Sequence, residues 1–95
     1  MKKISMIVPC YNEEGNVKLF FEDVVKTYKN SKDYKIELIF IDDGSTDSTL
    51  EHLKEIVKNK EFDTKIVSFS RNFGKESVIY AGLTKATGDY TVLID

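Results

Sequence analysis

IELIFIDDGS, residues 36–45, decides the fold of this chain. Its first six residues are almost continuously apolar, which is typical of a strand covered on both faces of a parallel sheet. The strand runs directly into Asp42 and Asp43, and Gly44 then permits the positive φ that suits a turn at this point. Ligands gather at the carboxyl ends of strands in open α/β sheets, so the two acids are placed where ligand chemistry would begin.

The same pattern returns at residues 90–95, where YTVLID is a short apolar strand that ends in Asp95. Two strands that deliver acids to one sheet edge predict a shared polar cleft, whereas either one alone would be an ordinary turn. Because the sequence stops at this acid, we expect a functional site that continues beyond Asp95.

The elements around residues 36–45 alternate between strand and helix. We predict strands at 4–8, 36–41, 65–69 and 90–94, with Pro9 ending the first of them. The spacing of apolar residues predicts a helix from 17 to 28. A second helix is predicted to start near Asp47, where Ser48 and Glu51 have capping-box spacing, and a third from 76 to 86. The third helix is expected to turn Leu83 inward and to use Gly88 as its C-cap. The order βαβαβαβ predicts an α/β fold with a mostly parallel, doubly wound sheet.

Composition describes one globular domain without naming a partner. The chain has 95 residues, 41% of them hydrophobic, and a net charge of −2. Its 14 basic and 16 acidic residues are interleaved, so no nucleic-acid partner is expected. The single cysteine, Cys10, is interpreted as a small apolar residue at a strand end, and His52, in mid-helix, is given no catalytic role. The N-terminus has no signal or membrane-spanning pattern, which predicts a cytoplasmic segment.

Three loops carry the candidate chemistry, and each has a plainer alternative. After the first strand, Tyr11 could stack on a base beside hydrogen-bonding groups of Asn12 and Glu13, although Asn12 could equally cap the helix that follows. Asp42 and Asp43 could accept hydrogen bonds from a base or a ribose, or could form an ordinary Asp-Gly turn. After the third strand, Arg71 and Lys75 flank a glycine before a helix, a place suited to a diphosphate but also to two solvated cations.

The blocks IVPCYNEE (7–14), IDDGSTD (41–47), SRNFGK (70–75), ATGD (86–89) and VLID (92–95) together resemble the N-terminal half of a family 2 glycosyltransferase with the GT-A fold. The third block further resembles the branch that transfers sugars to polyprenyl phosphate, such as dolichyl-phosphate mannose synthase-like and undecaprenyl-phosphate enzymes. The resemblance implies that residues 1–95 are the Rossmann-like, nucleotide-sugar-binding part of a GT-A domain, cut after the fourth strand.

The resemblance also implies a set of binding residues and a metal. The residues expected to hold the nucleotide sugar are Pro9, Tyr11, Asn12, Glu13, Asp42, Asp43, Arg71, Lys75 and Asp95. Asp43 is the favoured base or ribose ligand of its pair. Asp95 resembles the first acid of a DxD motif and is the candidate ligand for Mg²⁺ or Mn²⁺.

The implied activity is transfer of a sugar from a nucleotide-diphosphate sugar to an acceptor, expected to be polyprenyl phosphate, at the cytoplasmic face of a membrane. The second acid, the acceptor region and a catalytic base are not in the sequence, so we expect the chain to be inactive alone and to self-associate through the apolar edge of its fourth strand. Two alternatives stay open: a non-catalytic nucleotide-binding or scaffold module, and a phosphoacceptor domain, which PCYN at the end of the first strand disfavours.

Overall fold

The computed structural model describes residues 1–94, in which strands and helices alternate. The elements are β1 (Lys2–Cys10), α1 (Val17–Tyr28), β2 (Tyr34–Asp42), α2 (Thr49–Val57), β3 (Asp63–Ser68), α3 (Lys75–Lys85) and β4 (Tyr90–Leu93). The predicted βαβαβαβ order is confirmed.

The four strands of this region form one sheet in the order β3-β2-β1-β4, and every neighbouring pair is parallel. The chain passes outward from β1 through β2 to β3 and then crosses back to place β4 on the other side of β1. The order of strands therefore reverses between β1 and β4, and open α/β sheets bind ligands beyond the strand ends at such a reversal.

Both faces of the sheet are covered, as the apolar run of β2 predicts. Helices α1 and α2 pack on one face against even-numbered positions such as Leu38 and Phe40, and α3 packs on the other face through Val78 against Ile39 and Ile41. The interior of β2 is buried throughout, from Ile36 to Asp42. This double coverage explains why the strand shows no alternation of apolar and polar residues.

Pro9 does not end β1, contrary to the sequence-based prediction, since β1 continues to Cys10 in register with β2. The carbonyl of Ile7 accepts from the N–H of Ile94 at 2.9 Å, so the backbone polar groups of Ile7 face β4. Because a strand repeats every two residues, the backbone polar groups of Pro9 also face the β4 side. Pro9 lies two residues beyond Ile7, whose pair with Leu93 is the last one in the described β1–β4 ladder. The proline therefore removes no donor from the described ladder.

The helix ends also differ from the prediction. Helix α2 begins at Thr49, and its N-cap Ser48 makes no side-chain capping bond within the described residues, so the capping box is not formed. Instead, Asp47 Oδ1 accepts from the N–H of Thr49 at 2.9 Å. Helix α3 ends at Lys85 with an extended residue after it, and Gly88 is not its C-cap.

The inward face of α3 is narrower than predicted. Leu83 is 55% exposed, whereas Gly82 is buried. A Cβ on Gly82 would lie 2.5 Å from Ile7 Cγ2, so the absence of a side chain lets the helix approach β1 closely. The close approach replaces the contact expected from Leu83.

Strand β4 lies at the edge of the sheet, and all four of its residues are exposed. The exposed apolar edge expected from the sequence is therefore present. Within residues 1–94, none of the helices combines the length and the apolar character needed to cross a membrane.

Candidate functional site

Three loops meet at the carboxyl ends of β1, β2 and β3. We call residues 11–16 the first loop, residues 43–48 the second loop and residues 69–74 the third loop. They contain most of the residues that the sequence analysis selected, and hydrogen bonds link the second loop to each of the other two.

Asn12 joins the first loop to the second and does not cap α1. Its N–H donates to Ser45 Oγ at 2.9 Å, and its Oδ1 accepts from the N–H of Thr46 at 2.8 Å. Its φ of 52° lies in the left-handed region, which asparagine tolerates better than most residues. The helix-capping alternative for Asn12 is therefore wrong, and its side chain holds the turn in place.

The two glutamates of the first loop tie it to the start of α2. The N–H of Glu13 donates to Thr49 Oγ1 at 2.8 Å, and Glu14 Oε2 accepts from the N–H of Ser48 at 3.0 Å. The carbonyl oxygen of Glu14 also lies 2.9 Å from His52 Nδ1. His52 thus touches the first loop, a contact that its mid-helix position in the sequence did not reveal.

Asp43 connects the second loop to the third. Its Oδ1 accepts from the N–H of Phe73 at 2.7 Å and its Oδ2 from the N–H of Gly74 at 3.1 Å. The side chain is buried, and the backbone N–H donates to the carbonyl of Cys10 at 2.8 Å. An ionised carboxylate offers about four acceptor positions, so each oxygen of Asp43 can accept one more hydrogen bond.

Gly44 lets the third loop approach the second. Its φ is +73°, and a Cβ at this position would lie 2.2 Å from the backbone carbon of Arg71 and 2.5 Å from the nitrogen of Asn72. Both the backbone conformation and the space therefore require glycine, which agrees with the turn predicted here.

Asp42 is buried at the end of β2, where its Oδ1 accepts from the N–H of Ser45 at 3.3 Å. This bond spans the turn that contains Asp43 and Gly44. Of the two acids, only Asp43 lines the cleft described next.

A cleft of about 320 Å³ opens beyond the ends of β1 and β4, at the reversal of strand order. Five of the predicted site residues line it: Pro9, Tyr11, Glu13, Asp43 and Lys75. Tyr11 is 47% exposed and so offers an open ring face. Cys10, Val78 and Ile94 complete the lining and were not predicted, because their apolar character marked them only as core residues.

Three predicted residues stand apart from this lining, namely Asn12, Asp42 and Arg71. The guanidinium carbon of Arg71 lies 4.7 Å from the centre of the Phe73 ring, a cation–π contact on an exposed part of the third loop. Asp95, the ninth predicted residue, lies outside the described residues.

Cys10 is a buried, unreactive thiol rather than a nucleophile. Burial raises its pKa to about 12, and the nearby carboxylates of Asp42 and Glu13 add to the shift. A thiol with such a pKa is neutral at physiological pH, which fits the interpretation of Cys10 as a small apolar residue.

A larger cavity of about 560 Å³ lies at the opposite, amino end of the sheet, lined by residues that include Tyr28, Tyr34 and Lys60. Volume alone does not identify a site. The loops, the acids and the strand reversal all lie at the carboxyl end, so we assign the functional site to the smaller cleft.

Within residues 1–94 no group of three or more histidine, cysteine, aspartate or glutamate side chains is arranged to hold a metal ion. Glu13 and Asp43 are the acids that line the cleft, and both already accept hydrogen bonds from neighbouring groups.

Comparison with known proteins defines the class. The profile of glycosyl transferase family 2 matches residues 5–95. The chain therefore belongs to glycosyl transferase family 2, as the resemblance of its sequence blocks indicated, and its α/β fold is that of part of a GT-A glycosyltransferase domain.

Among curated relatives, the chain is 40% identical over 93 residues to the prophage bactoprenol glucosyl transferase homolog of Escherichia coli (strain K12). It is 33% identical over 95 residues to the undecaprenyl-phosphate 4-deoxy-4-formamido-L-arabinose transferase of Proteus mirabilis (strain HI4320). These alignments cover 98% and 100% of this chain but 30% and 29% of the relatives. The chain thus spans less than a third of the length of these relatives.

Two solved structures share the fold. S. aureus TarS 1–349 in complex with UDP superposes with a TM-score of 0.76 and 26% identity, over 98% of this chain and 27% of the TarS 1–349 chain. The mannosyltransferase PcManGT from Pyrobaculum calidifontis in complex with GDP-Man and Mn²⁺ superposes with a TM-score of 0.73 and 26% identity, over 95% of this chain and 26% of that protein.

Proposed function

We propose that this chain forms the donor side of a glycosyltransferase that moves a sugar from a nucleotide-diphosphate sugar to polyprenyl phosphate. The observation that carries the proposal is the meeting of an exposed aromatic ring, a buried acid and a lysine at the strand reversal, in the cleft lined by Tyr11, Asp43 and Lys75. These three kinds of group suit a nucleoside diphosphate, because an aromatic ring can stack on the base, an acid can accept hydrogen bonds from the base or the ribose, and a lysine can pair with the diphosphate charge.

The base and ribose would occupy the side of the cleft nearest the first loop. Tyr11 would stack on the base, and Asp43 would accept a hydrogen bond from a base N–H or a ribose hydroxyl through its remaining lone pairs. Because Phe73 and Gly74 already fix the Asp43 carboxylate, its oxygens would not need to reorganise when the ligand arrives.

The diphosphate would lie toward the start of α3. Lys75 is the first residue of α3 and lines the cleft, and a helix N-terminus favours anionic groups. Arg71 would supply a second positive charge from the third loop, where Phe73 holds its guanidinium.

A divalent cation, Mg²⁺ or Mn²⁺, is proposed to bind with Asp95 and the diphosphate oxygens, which are hard oxygen ligands of the kind both ions prefer. When bound, such a cation would offset the negative charge that develops on the nucleoside diphosphate. Since residues 1–94 hold no acidic cluster of their own, we expect the cation to bind tightly only together with the nucleotide. The Mn²⁺ in the PcManGT complex supports this assignment.

The acceptor is proposed from the relatives and not from the cleft. The names of the E. coli and P. mirabilis proteins specify bactoprenol and undecaprenyl-phosphate chemistry, which supports a polyprenyl phosphate acceptor. The cytoplasmic face of a membrane is proposed as the place of transfer. Because the chain spans less than a third of the length of these relatives, we propose that residues 1–95 alone bind the nucleotide without catalysing transfer.

The test is a titration of the isotopically labelled chain with UDP, GDP and CDP, each with and without Mg²⁺, followed by backbone amide shifts. We expect one nucleotide to shift Tyr11, Asp43 and Lys75 together. Replacing Tyr11 by alanine should weaken binding by roughly 5- to 150-fold, since base–aromatic stacking contributes about 1–3 kcal/mol. Tyr80→Ala is the matched control, because Tyr80 is 75% exposed on α3 and does not line the cleft.

A folded chain in which no nucleotide at millimolar concentration shifts these amides would contradict the proposal. It would favour the scaffold module, the alternative that the sequence left open.

Self-association of the chain is a separate proposal, motivated by the exposed edge of β4. A second copy could pair with this edge, and a charge there would oppose pairing. We expect the sedimentation coefficient to rise with concentration for the unaltered chain and not for Val92→Lys. Leu83→Lys, on exposed α3, is the control and should still associate. A monomer at every concentration would refute the idea.

A further inference from the structure

Glu37 is a charged residue in the middle of the apolar strand β2, and its side chain is completely buried. It lies toward the amino end of the sheet, away from the donor cleft, and it shares a row with Ser5 on β1 and Asp63 on β3. A buried carboxylate is costly unless it is paired and hydrogen-bonded, so its partners indicate what it does.

Both oxygens of Glu37 are fully engaged. Oε1 accepts from Ser5 Oγ at 2.7 Å and from the N–H of Thr87 at 3.0 Å. Oε2 accepts from Thr87 Oγ1 at 3.0 Å and pairs with Lys65 Nζ at 2.8 Å and Lys3 Nζ at 3.5 Å. Burial alone would raise the pKa of Glu37, but the hydrogen bonds from Lys65, Ser5 and Thr87 hold it well below its ordinary value, so the group is ionised.

These partners come from β1, β3 and the connection between α3 and β4. Lys65 Nζ also donates to the carbonyl of Lys85 at 3.2 Å, which ties the last residue of α3 to the same cluster. The Glu37 cluster therefore holds both the end of α3, through Lys65, and Thr87 in the connection to β4.

The next two residues of the connection are held just as closely. The N–H of Gly88 donates to Ser5 Oγ at 2.8 Å, and a Cβ on Gly88 would lie 2.7 Å from that oxygen. Asp89 exchanges two hydrogen bonds with Lys3, from its N–H to the Lys3 carbonyl at 2.7 Å and from the Lys3 N–H to its Oδ2 at 2.8 Å. The ATGD block thus makes structural contacts at the amino end of the sheet and none in the described donor cleft.

Strand β4 itself specifies its register weakly. Within residues 1–94 it is four residues long and pairs only with β1, and each of its four residues is exposed. A slip of one residue would move everything after Leu93 by about 3.3 Å and turn each side chain to the other face. Something outside the strand must therefore set its position.

We infer that Glu37 is a positioning residue, which sets the register of β4 against β1 by holding the Thr87–Asp89 connection and so fixes the point from which the chain continues past Ile94 toward the proposed cation ligand. The second half of this inference rests on the proposed function, whereas the first half does not. Buried polar groups are known to select one pairing register over alternative registers, even though burying them costs stability.

The test compares native-state amide hydrogen exchange in the unaltered chain, Glu37→Gln and Ser5→Ala. Ser5→Ala removes the link to Gly88 and one hydrogen bond to Glu37 but keeps the buried charge with its lysine and Thr87 partners, so it keeps the test informative if Glu37→Gln fails to fold. Ile56→Ala, a buried position on α2 at the other face of the sheet, is the control for general loss of stability.

In the two cluster variants we expect the amides of Asp89 and Ile94, which bond β1, to exchange at least tenfold faster, while the amides that join β1 to β2 keep their protection. In the Ile56→Ala control we expect no selective loss at β4. Equal acceleration at all strands, or no change at Asp89 and Ile94, would overturn the inference.

A second readout separates this inference from the proposed function. Glu37→Gln should leave the affinity for the nucleotide alone within about twofold and should abolish any gain in affinity that Mg²⁺ provides. If the unaltered chain binds no nucleotide, the proposed function fails and the exchange data still decide the role of Glu37. If Glu37→Gln lost nucleotide binding in the absence of Mg²⁺, Glu37 would affect the whole cleft and the inference that it acts only on the position of β4 would be wrong.

Discussion

Replacement of Gly44 by alanine should separate the second loop from the third. The new Cβ would lie 2.2 Å from the backbone carbon of Arg71, and backbone cannot move aside as a flexible side chain can. The φ of +73° adds a conformational penalty that only glycine avoids. We therefore expect the loop contacts made by Asp43 to loosen together.

The magnitude follows from two costs. A non-glycine residue at positive φ costs about 1–2 kcal/mol, and forcing extra atoms into a packed region costs about 1–3 kcal/mol more. The expected loss of 2–5 kcal/mol compares with a total stability of roughly 5–14 kcal/mol for a domain of this length. Gly44→Ala should therefore still fold but with much reduced stability.

Two other glycines separate the costs. Gly74 has a φ of +99° but, within the described residues, no atom within 4 Å of a Cβ, so Gly74→Ala should show the conformational cost alone, about 1–3 kcal/mol. Gly15 has neither feature, and Gly15→Ala should stay within about 0.5 kcal/mol of the unaltered chain.

The assay is urea unfolding of all four chains, with nucleotide affinity measured by amide shifts on those that fold. If Gly44→Ala is no less stable than Gly15→Ala, the contact between the second and third loops does not exist as described. If Gly44→Ala matches Gly74→Ala, the clash is relieved by a cheap backbone shift and the packing argument is wrong.

Three further predictions follow from single residues. Asp43→Asn should lower the free energy of unfolding by about 1.5–3 kcal/mol in urea, because an amide cannot accept from both third-loop N–H groups, whereas Asp23→Asn on exposed α1 should not change it; equal effects would contradict this. The pKa of Glu37 is lowered in the fold from an ordinary value of 4.5, so its contribution to stability is complete above that pH and is lost as the pH falls below it. The stability of the unaltered chain, measured in urea between pH 7 and 2, should therefore fall more steeply below pH 4.5 than that of Glu37→Gln, and parallel curves would argue against it. Cys10, whose pKa is raised to about 12, should react with a thiol reagent at pH 8 far more slowly in the folded chain than in urea, and comparable rates would refute its burial.

The types and order of the elements were predictable because they depend on local periodicity. The apolar run of residues 36–41 and the helical spacing from Val17 describe one element each and need no knowledge of partners. The family, too, was predictable, because five sequence blocks in a fixed order are specific when each alone is not. The roles of the predicted site residues remain predictions, although the structure brings Pro9, Tyr11, Glu13, Asp43 and Lys75 together.

The errors arose where a residue's role depends on another segment. Pro9 continues β1 because the described ladder with β4 ends two residues earlier, at Ile7, and Gly88 is required by Ser5 rather than by the end of α3. Glu37 could not be recognised, since a single acid in an apolar run acquires meaning only from partners at residues 3, 5, 65 and 87. Contacts between distant segments decide such positions, and one sequence does not show them.

The same contacts determine which part of the site can move. The first and second loops are joined through Asn12, and the second and third through Asp43 and Gly44, so these three loops form a connected unit before any ligand binds. Strand β4 has one neighbour and four exposed residues, and its main constraint is the connection held by Glu37 at the opposite end of the sheet. Elements with few buried contacts are the first to open, so a ligand that orders the cleft should change exchange rates most along β4 and least in the first and second loops. Strand β4 is thus the element next to the cleft that the three loops hold least, and under our inference the buried charge at the amino end of the sheet supplies the missing constraint.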